Sequence, residues 1–161
     1  MLFQKIVKAM FSQKNITFDK KNGNAWLELT GIADSYGNDK KIVKLFELLI
    51  PNFHIEIDFD VPKKDLTLCD EISEINGIVI IQTQKIEKRS WHRVTMEMTL
   101  DSNGLSELIQ LIVRHDNRFE FKCMSNGVFG GINDNDGSFI QVPKLTFEKN
   151  KEIIEAILEI K

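Results

Sequence analysis

The stretch Phe53-His-Ile-Glu-Ile-Asp-Phe-Asp-Val61 alternates apolar and polar residues without a break. Because neighbouring side chains of a β-strand point to opposite faces, the pattern predicts a strand with one apolar and one polar face. The apolar face, which is expected to pack into a core, consists of Phe53, Ile55, Ile57, Phe59 and Val61. The polar face is the densest acidic row in the chain and consists of His54, Glu56, Asp58 and Asp60.

Further helices and strands are predicted on both sides of this strand. Apolar residues at three- and four-residue spacing predict amphipathic helices at 2–11, 39–50, 65–76, 102–113 and 153–160. Hairpins are predicted for 16–20 with 25–30, and for 78–81 with 91–100, the run 78–81 being apolar enough for an interior strand. Strands are also predicted at 118–124, 139–142 and 144–147, and a long loop at 125–138.

These elements predict one α+β domain over residues 1–161, with a mostly antiparallel sheet of about six to eight strands and helices packed on one face. The order helix, hairpin, helix, strand occurs in 2–61 and again in 65–124, before closing strands and a helix in 139–161. An internal duplication would give this order. However, amphipathic helices and hairpins resemble one another in unrelated sequences as well.

The composition argues against several classes of protein. The net charge of −3 and the pI near 5.7 argue against broad electrostatic binding to nucleic acid. Two cysteines, Cys69 and Cys123, are too few for a disulfide framework or a zinc site. No apolar run reaches the ~18 residues that span a bilayer, and the first residues lack the apolar region of a secretion signal. We therefore expect a cytoplasmic protein that binds neither nucleic acid nor membranes, and no cofactor is predicted.

The acidic row has three interpretations: a metal or catalytic site, a docking surface for a basic partner, or solvated charge. His54, Glu56 and Asp58 are residue types that bind metals, but side chains two apart on a strand diverge, and no spacing indicates further ligands. The run Asn133-Asp134-Asn135-Asp136-Gly137 is not a calcium loop, because Ile132 and Pro143 occupy its first and last ligand positions. No catalytic or metal-binding residue is therefore predicted.

Glu120-x-Lys122 on a predicted strand is similar to the acid–lysine pair of the PD-(D/E)xK nucleases, which flanks a divalent metal and the scissile phosphate. The sequence departs from that family in two respects. No acidic strand immediately precedes this one, and the chain has no Pro-Asp dipeptide.

We expect a noncatalytic inhibitor that binds a basic, toxin-like protein domain, as small acidic bacterial immunity proteins do. The residues expected to contact the partner are His54, Glu56, Asp58, Asp60, Asp134, Asp136 and Trp91. Trp91 is among them because an exposed tryptophan with arginine neighbours is typical of an interface anchor. The alternative role of Trp91 is to cover the predicted hairpin. The alternatives are a metal-dependent enzyme of nuclease type and an acidic secretion or assembly chaperone. The sequence leaves the oligomeric state open.

Overall fold

The computed structural model describes residues 15–30, 38–134 and 137–158. The predicted opening helix and Asp136 lie outside these ranges, and only the backbone of Asp134 is described. The described strands are β1 Ile16–Phe18, β2 Ala25–Thr30, β3 His54–Pro62, β4 Ile78–Glu87, β5 Trp91–Leu100, β6 Phe119–Cys123, β7 Phe129–Asp134 and β8 Gly137–Val142. The described helices are α1 Asn38–Leu49, α2 Thr67–Ser73, α3 Ser102–Arg114 and α4 Lys144–Ile157, with a short 3-10 helix at Pro51–Phe53.

All eight described strands belong to one antiparallel sheet, in the order β1-β2-β8-β7-β6-β3-β5-β4. The acidic strand β3 lies inside this sheet, between β5 and β6. The predicted α+β class with a mostly antiparallel sheet is thus confirmed.

The core lies between the helices and one face of the sheet. On that face Ile57 of β3 and Met96 of β5 are almost fully buried, and the ring of Phe46 of α1 lies 4.6 Å from that of Phe121 of β6. Buried residues of all four helices belong to the same cluster, among them Ile42, Ile72, Leu108 and Ile154. The alternation in 53–61 therefore identifies the inward face of β3 correctly from Ile55 onward.

Phe53 itself does not belong to the strand. Asn52 and Phe53 have φ values of 58° and 48°, in the left-handed region, and they form the 3-10 turn that leads from α1 into β3. Phe53 still packs, partly buried, against the core. The strand begins at His54.

The long loop predicted at 125–138 is wrong, because β7 and the start of β8 occupy most of this segment. Glycines weaken a strand on their own, but here two of them make room for rings from the flanking strands. A Cβ at Gly130 would meet the ring of Phe121, and one at Gly131 would meet the ring of Phe139. The strand is therefore stabilised by its neighbours in the sheet.

Two further predictions about individual elements are wrong. The segment 144–147 is the first turn of α4, because Pro143 lies at the start of a helix, where its missing N–H costs nothing. The apolar segment 78–81 belongs to β4, which lies at the edge of the described sheet and not in its interior.

The predicted repeat stays a prediction. The described parts of the two units do share one order, a hairpin, a helix and a strand, and their last strands β3 and β6 pair with each other. The hairpin β7–β8 then separates β6 from β2.

Candidate functional site

The sheet has a second face, which turns away from the described helices. We call it the open face, and it is defined by His54, Glu56, Asp58 and Asp60 of β3 together with the side chains in register with them. These four residues are partly exposed, whereas the residues between them are buried. In the described part of the protein, the acidic row is therefore accessible to a binding partner.

Strand β5 provides one set of contacts to the row. The register places His54 opposite Thr99, Glu56 opposite Glu97, Asp58 opposite Thr95, and Asp60 opposite Arg93. His54 Nε2 lies 2.8 Å from Glu97 Oε1, and the Thr95 hydroxyl donates a hydrogen bond to Asp58. Arg93 Nε donates to Asp60 Oδ1 at 3.0 Å. This hydrogen bond is the main reason that the pKa of Arg93 lies above its usual value.

Strand β6 provides the second set of contacts. Lys122 lies opposite Glu56, and its ammonium group is 3.0 Å from Glu56 Oε1. The hydrogen bond to Glu56 raises the pKa of Lys122, so the lysine stays charged at neutral pH. Glu120 lies directly opposite Asp58.

Like charges therefore face each other twice on the open face, as Glu56 with Glu97 and as Asp58 with Glu120. Carboxylates directly opposite each other on neighbouring strands destabilise a sheet. The carboxylates whose strand positions place them on this face are Glu28, Glu56, Asp58, Asp60, Glu97 and Glu120. The cations whose strand positions place them on this face in the same strands are Arg93 and Lys122. At these strand positions, carboxylates thus outnumber cations.

The open face also carries aromatic rings, on the side of β1 and β2. Trp26 of β2 stacks on Phe139 of β8, with centroids 4.3 Å apart and planes at 5°. Phe129 of β7 is 40% exposed. A shallow depression of about 320 Å³ joins this aromatic part to the acidic part, with Asp58 and Glu120 on one side and the rings of Phe129 and Phe139 on the other.

Sequence reasoning missed Trp26, Phe129 and Phe139 as candidate site residues. The two phenylalanines belong to the hairpin whose first part was predicted to be a loop, so no face could be assigned to Phe129. The alternation Phe139-Ile-Gln-Val142 was visible, and with the register to β2 it would have placed Phe139 beside Trp26.

Trp91, the predicted anchor, lies at the start of β5 opposite Pro62, on the same face as Asp60. The Arg93 guanidinium lies 6.0 Å from the centroid of its ring. Trp26 lies on β2, near the opposite end of the strand order, and it stacks on Phe139 of the open face. Both tryptophans of the chain are therefore on the open face.

The backbone of Asp134, one of the predicted contact residues, lies at the end of the sheet that carries Asp60. Asp134 ends β7, and the preceding Asn133 donates from its side chain to the carbonyl of Asn117. Asn117 in turn donates to the carbonyl of Asp60. The backbone at Asp134 is thereby connected to the end of the acidic row, whereas Asp136 is not among the described residues.

The nuclease resemblance gains an acidic strand in space but not in sequence order. The strand beside Glu120-x-Lys122 is β3, which is distant in sequence and brings Asp58 opposite Glu120. Within the described ranges, no three residues among His, Cys, Asp and Glu are grouped so that they could hold a metal ion.

The comparisons with known proteins give no relative, since no protein-family model, no curated protein and no solved structure matches this chain. Among the described residues, no helix is both long and apolar enough to cross a membrane. Function is therefore inferred from the open face alone.

Proposed function

We propose that this chain is a noncatalytic inhibitor that binds a basic protein domain on its open face, as a bacterial immunity protein neutralises a cationic toxin domain. The observation that carries the proposal is the pairing of like charges across three adjacent strands, Glu56 with Glu97 and Asp58 with Glu120. Like charges that lie directly opposite each other on neighbouring strands destabilise a sheet. A lysine or arginine of a partner between these carboxylates would relieve that cost on binding.

The cations of the chain itself contact these carboxylates unevenly. Lys122 contacts Glu56 and Arg93 contacts Asp60, whereas Asp58 accepts its hydrogen bond from the neutral hydroxyl of Thr95. Arg93 and Lys122 attract Asp58 only through space, without a hydrogen bond to it. Charge that is fixed in position by a rigid sheet attracts a basic partner during encounter and sets the orientation in which it docks.

The aromatic residues would supply the apolar part of the interface. Tryptophan is among the residues that contribute most to interface energies, and aromatic rings bury large areas at a small cost in entropy. Of the rings on this face, Trp26, Trp91 and Phe139 are partly exposed and Phe129 is exposed. Phe129 lies next to Lys122 in the register of β7 and β6, so the acidic and aromatic parts form one surface.

The first test uses the two tryptophans as reporters of the open face. The immobilised chain is used to capture a basic protein from the source cell, with the product of the neighbouring gene as the first candidate. Acrylamide quenching of tryptophan fluorescence is then measured with and without that protein, for the wild type and for the Trp26→Phe and Trp91→Phe variants. We expect saturation with the partner to lower the quenching of at least one tryptophan. Unchanged quenching of both would show that the partner does not cover this face.

A second candidate function follows from one observation, the position of Asp58 opposite Glu120 with Lys122 on the same strand. An acid on each of two adjacent strands with a lysine nearby is an arrangement that could hold a divalent metal for phosphodiester hydrolysis. In this protein Lys122 instead contacts Glu56, and Asp58 accepts a hydrogen bond from Thr95. Both contacts suit a surface of paired charges better than a metal centre.

Calorimetric titration with Mn²⁺ separates these two functions. We expect no saturable uptake, because two carboxylates on a partly exposed surface supply too few ligands for tight binding. The Asp58→Asn/Glu120→Gln variant should give the same flat titration as the wild type. Stoichiometric uptake that disappears in this variant would favour the metal-dependent enzyme over the inhibitor.

A further inference from the structure

The edge strand β4 is unusually open for the border of a sheet. It is ten residues long and contains no proline, and among the described strands it pairs with β5 alone, on one side. Three of its apolar residues are more than half exposed, at 65% for Val79, 54% for Ile81 and 51% for Ile86. A long edge strand with exposed apolar side chains offers its free N–H and C=O groups to another strand.

The opposite edge of the described sheet differs in this respect. Its strand β1 has only three residues, which is one of the ways in which proteins make an edge unsuitable for pairing. On β4 the protective features are a bulge between Ile80 and Gln82 and the single cation Lys85. The bulge shifts the register to β5, but strand residues continue on both sides of it.

The apolar residues of β4 and the charges at its two ends are self-complementary for an antiparallel arrangement. Val79 pairs with Thr99 and Ile86 with Arg93, which places both apolar side chains on the open-face side, one near each end of the strand. Glu74 precedes the strand, whereas Lys85, Glu87, Lys88 and Arg89 give the other end a net positive charge. Antiparallel pairing of two copies brings each Val79 towards the partner's Ile86, and the end beside Glu74 towards the basic end of the other copy.

We propose that β4 pairs antiparallel with β4 of a second copy of this chain, so that two sheets join into one. The interface is isologous, with the same residues contributed by both copies, as in most homodimers. A two-fold axis perpendicular to the joined sheet puts both open faces on the same side. The proposal does not depend on which partner the open face binds.

The test is the mass of the protein in solution, measured by light scattering over a range of concentrations. We expect a mass of twice 18.6 kDa for the wild type. The Val79→Lys/Ile86→Lys variant places lysines opposite lysines at both ends of the interface, and it should weaken dimerisation about a hundredfold. Both side chains are largely exposed in the single chain, so circular dichroism and the unfolding temperature should change little.

Two matched variants test whether the pairing of β4 causes the dimerisation. Val79→Glu/Ile86→Lys places opposite charges across the same interface and should dimerise at least as well as the wild type. Leu145→Lys introduces a lysine at an exposed apolar position of α4 and should leave the dimer unchanged. A monomeric wild type at every concentration would overturn the proposal, even if β4 accepted a strand from another protein. A dimer that persists in Val79→Lys/Ile86→Lys would overturn it as well.

Amide hydrogen exchange provides an independent readout of the same interface. In the dimer, the amides of β4 that point away from β5 become hydrogen-bonded, and they should exchange more slowly than in the Val79→Lys/Ile86→Lys variant. Equal exchange in the two proteins would contradict the pairing.

Discussion

Replacing Gly130 with alanine is expected to lower the free energy of unfolding by about 3 kcal/mol or more, because the added methyl group has no space. A Cβ at this position would meet the carbonyl oxygen of Phe139 and lie 2.8 Å from Cε1 of Phe121. The carbonyl belongs to the backbone of β8 and cannot turn away without breaking the pairing of β7 with β8. A loss of this size is a large part of the total stability of a domain, which is typically about 5–15 kcal/mol.

The neighbouring residue provides the matched control. A Cβ at Gly131 would lie 2.7 Å from Cε1 of Phe139, and a ring on the partly exposed face can shift. We expect Gly131→Ala to cost about 1 kcal/mol and to disturb the stack of Phe139 on Trp26, which near-ultraviolet circular dichroism reports. Urea unfolding of both variants checks the prediction. Equal losses, or no loss for Gly130→Ala, would contradict the placement of β7 inside the sheet.

The sequence predicts those elements of the fold that depend only on a pattern among neighbouring residues. Alternation over 53–61 and 91–100 requires only that neighbouring side chains point to opposite faces, and strands run from His54 and from Trp91. In the same way, Asp101 or Ser102 is predicted to cap α3, and the structure has Asp101 as the cap, with its carboxylate accepting a hydrogen bond from Gly104 N.

The hairpin β7–β8 could not be predicted from such patterns. Gly130 and Gly131 have low strand propensity, and the residues that make a strand of this segment are Phe121 and Phe139, on the flanking strands. The edge position of β4 depends likewise on the order in which strands assemble. An apolar run indicates a strand but does not say on which side a neighbour lies.

Only part of the candidate site, chiefly the acidic row on β3, can be predicted from the sequence. The acidic row on β3 follows from the alternation, but Glu97 and Glu120 face Glu56 and Asp58 only because of the registers with β5 and β6. These registers join positions about forty to sixty residues apart, which no local pattern specifies. The pairing of like charges, on which the proposed function depends, therefore became apparent only in the folded structure.

The second large effect concerns the affinity for the basic partner. Lysine at positions 56 and 58 reverses two charges at the centre of the open face, where β3 lies between β5 and β6. Removing one member of a desolvated charge pair at an interface costs about 2–5 kcal/mol, and reversal adds repulsion. We expect Glu56→Lys/Asp58→Lys to weaken binding at least about a hundredfold, and the neutral Glu56→Gln/Asp58→Asn to weaken it by a smaller factor.

The matched control makes the same change of net charge on the opposite side of the molecule. Glu148 and Glu152 are exposed on α4, in the helical layer, so Glu148→Lys/Glu152→Lys tests the effect of charge without touching the open face. Thermal unfolding of each variant verifies that it is folded, which matters because Glu56→Lys also removes the contact to Lys122.

The most direct test of the open face as a docking surface is therefore the dissociation constant of the captured basic protein for these two charge-reversed variants, measured by titration calorimetry at one salt concentration. We predict a loss of at least about a hundredfold for Glu56→Lys/Asp58→Lys and a change of less than about threefold for Glu148→Lys/Glu152→Lys. Equal losses in both variants, or no loss in the first, would contradict the open face as the binding surface.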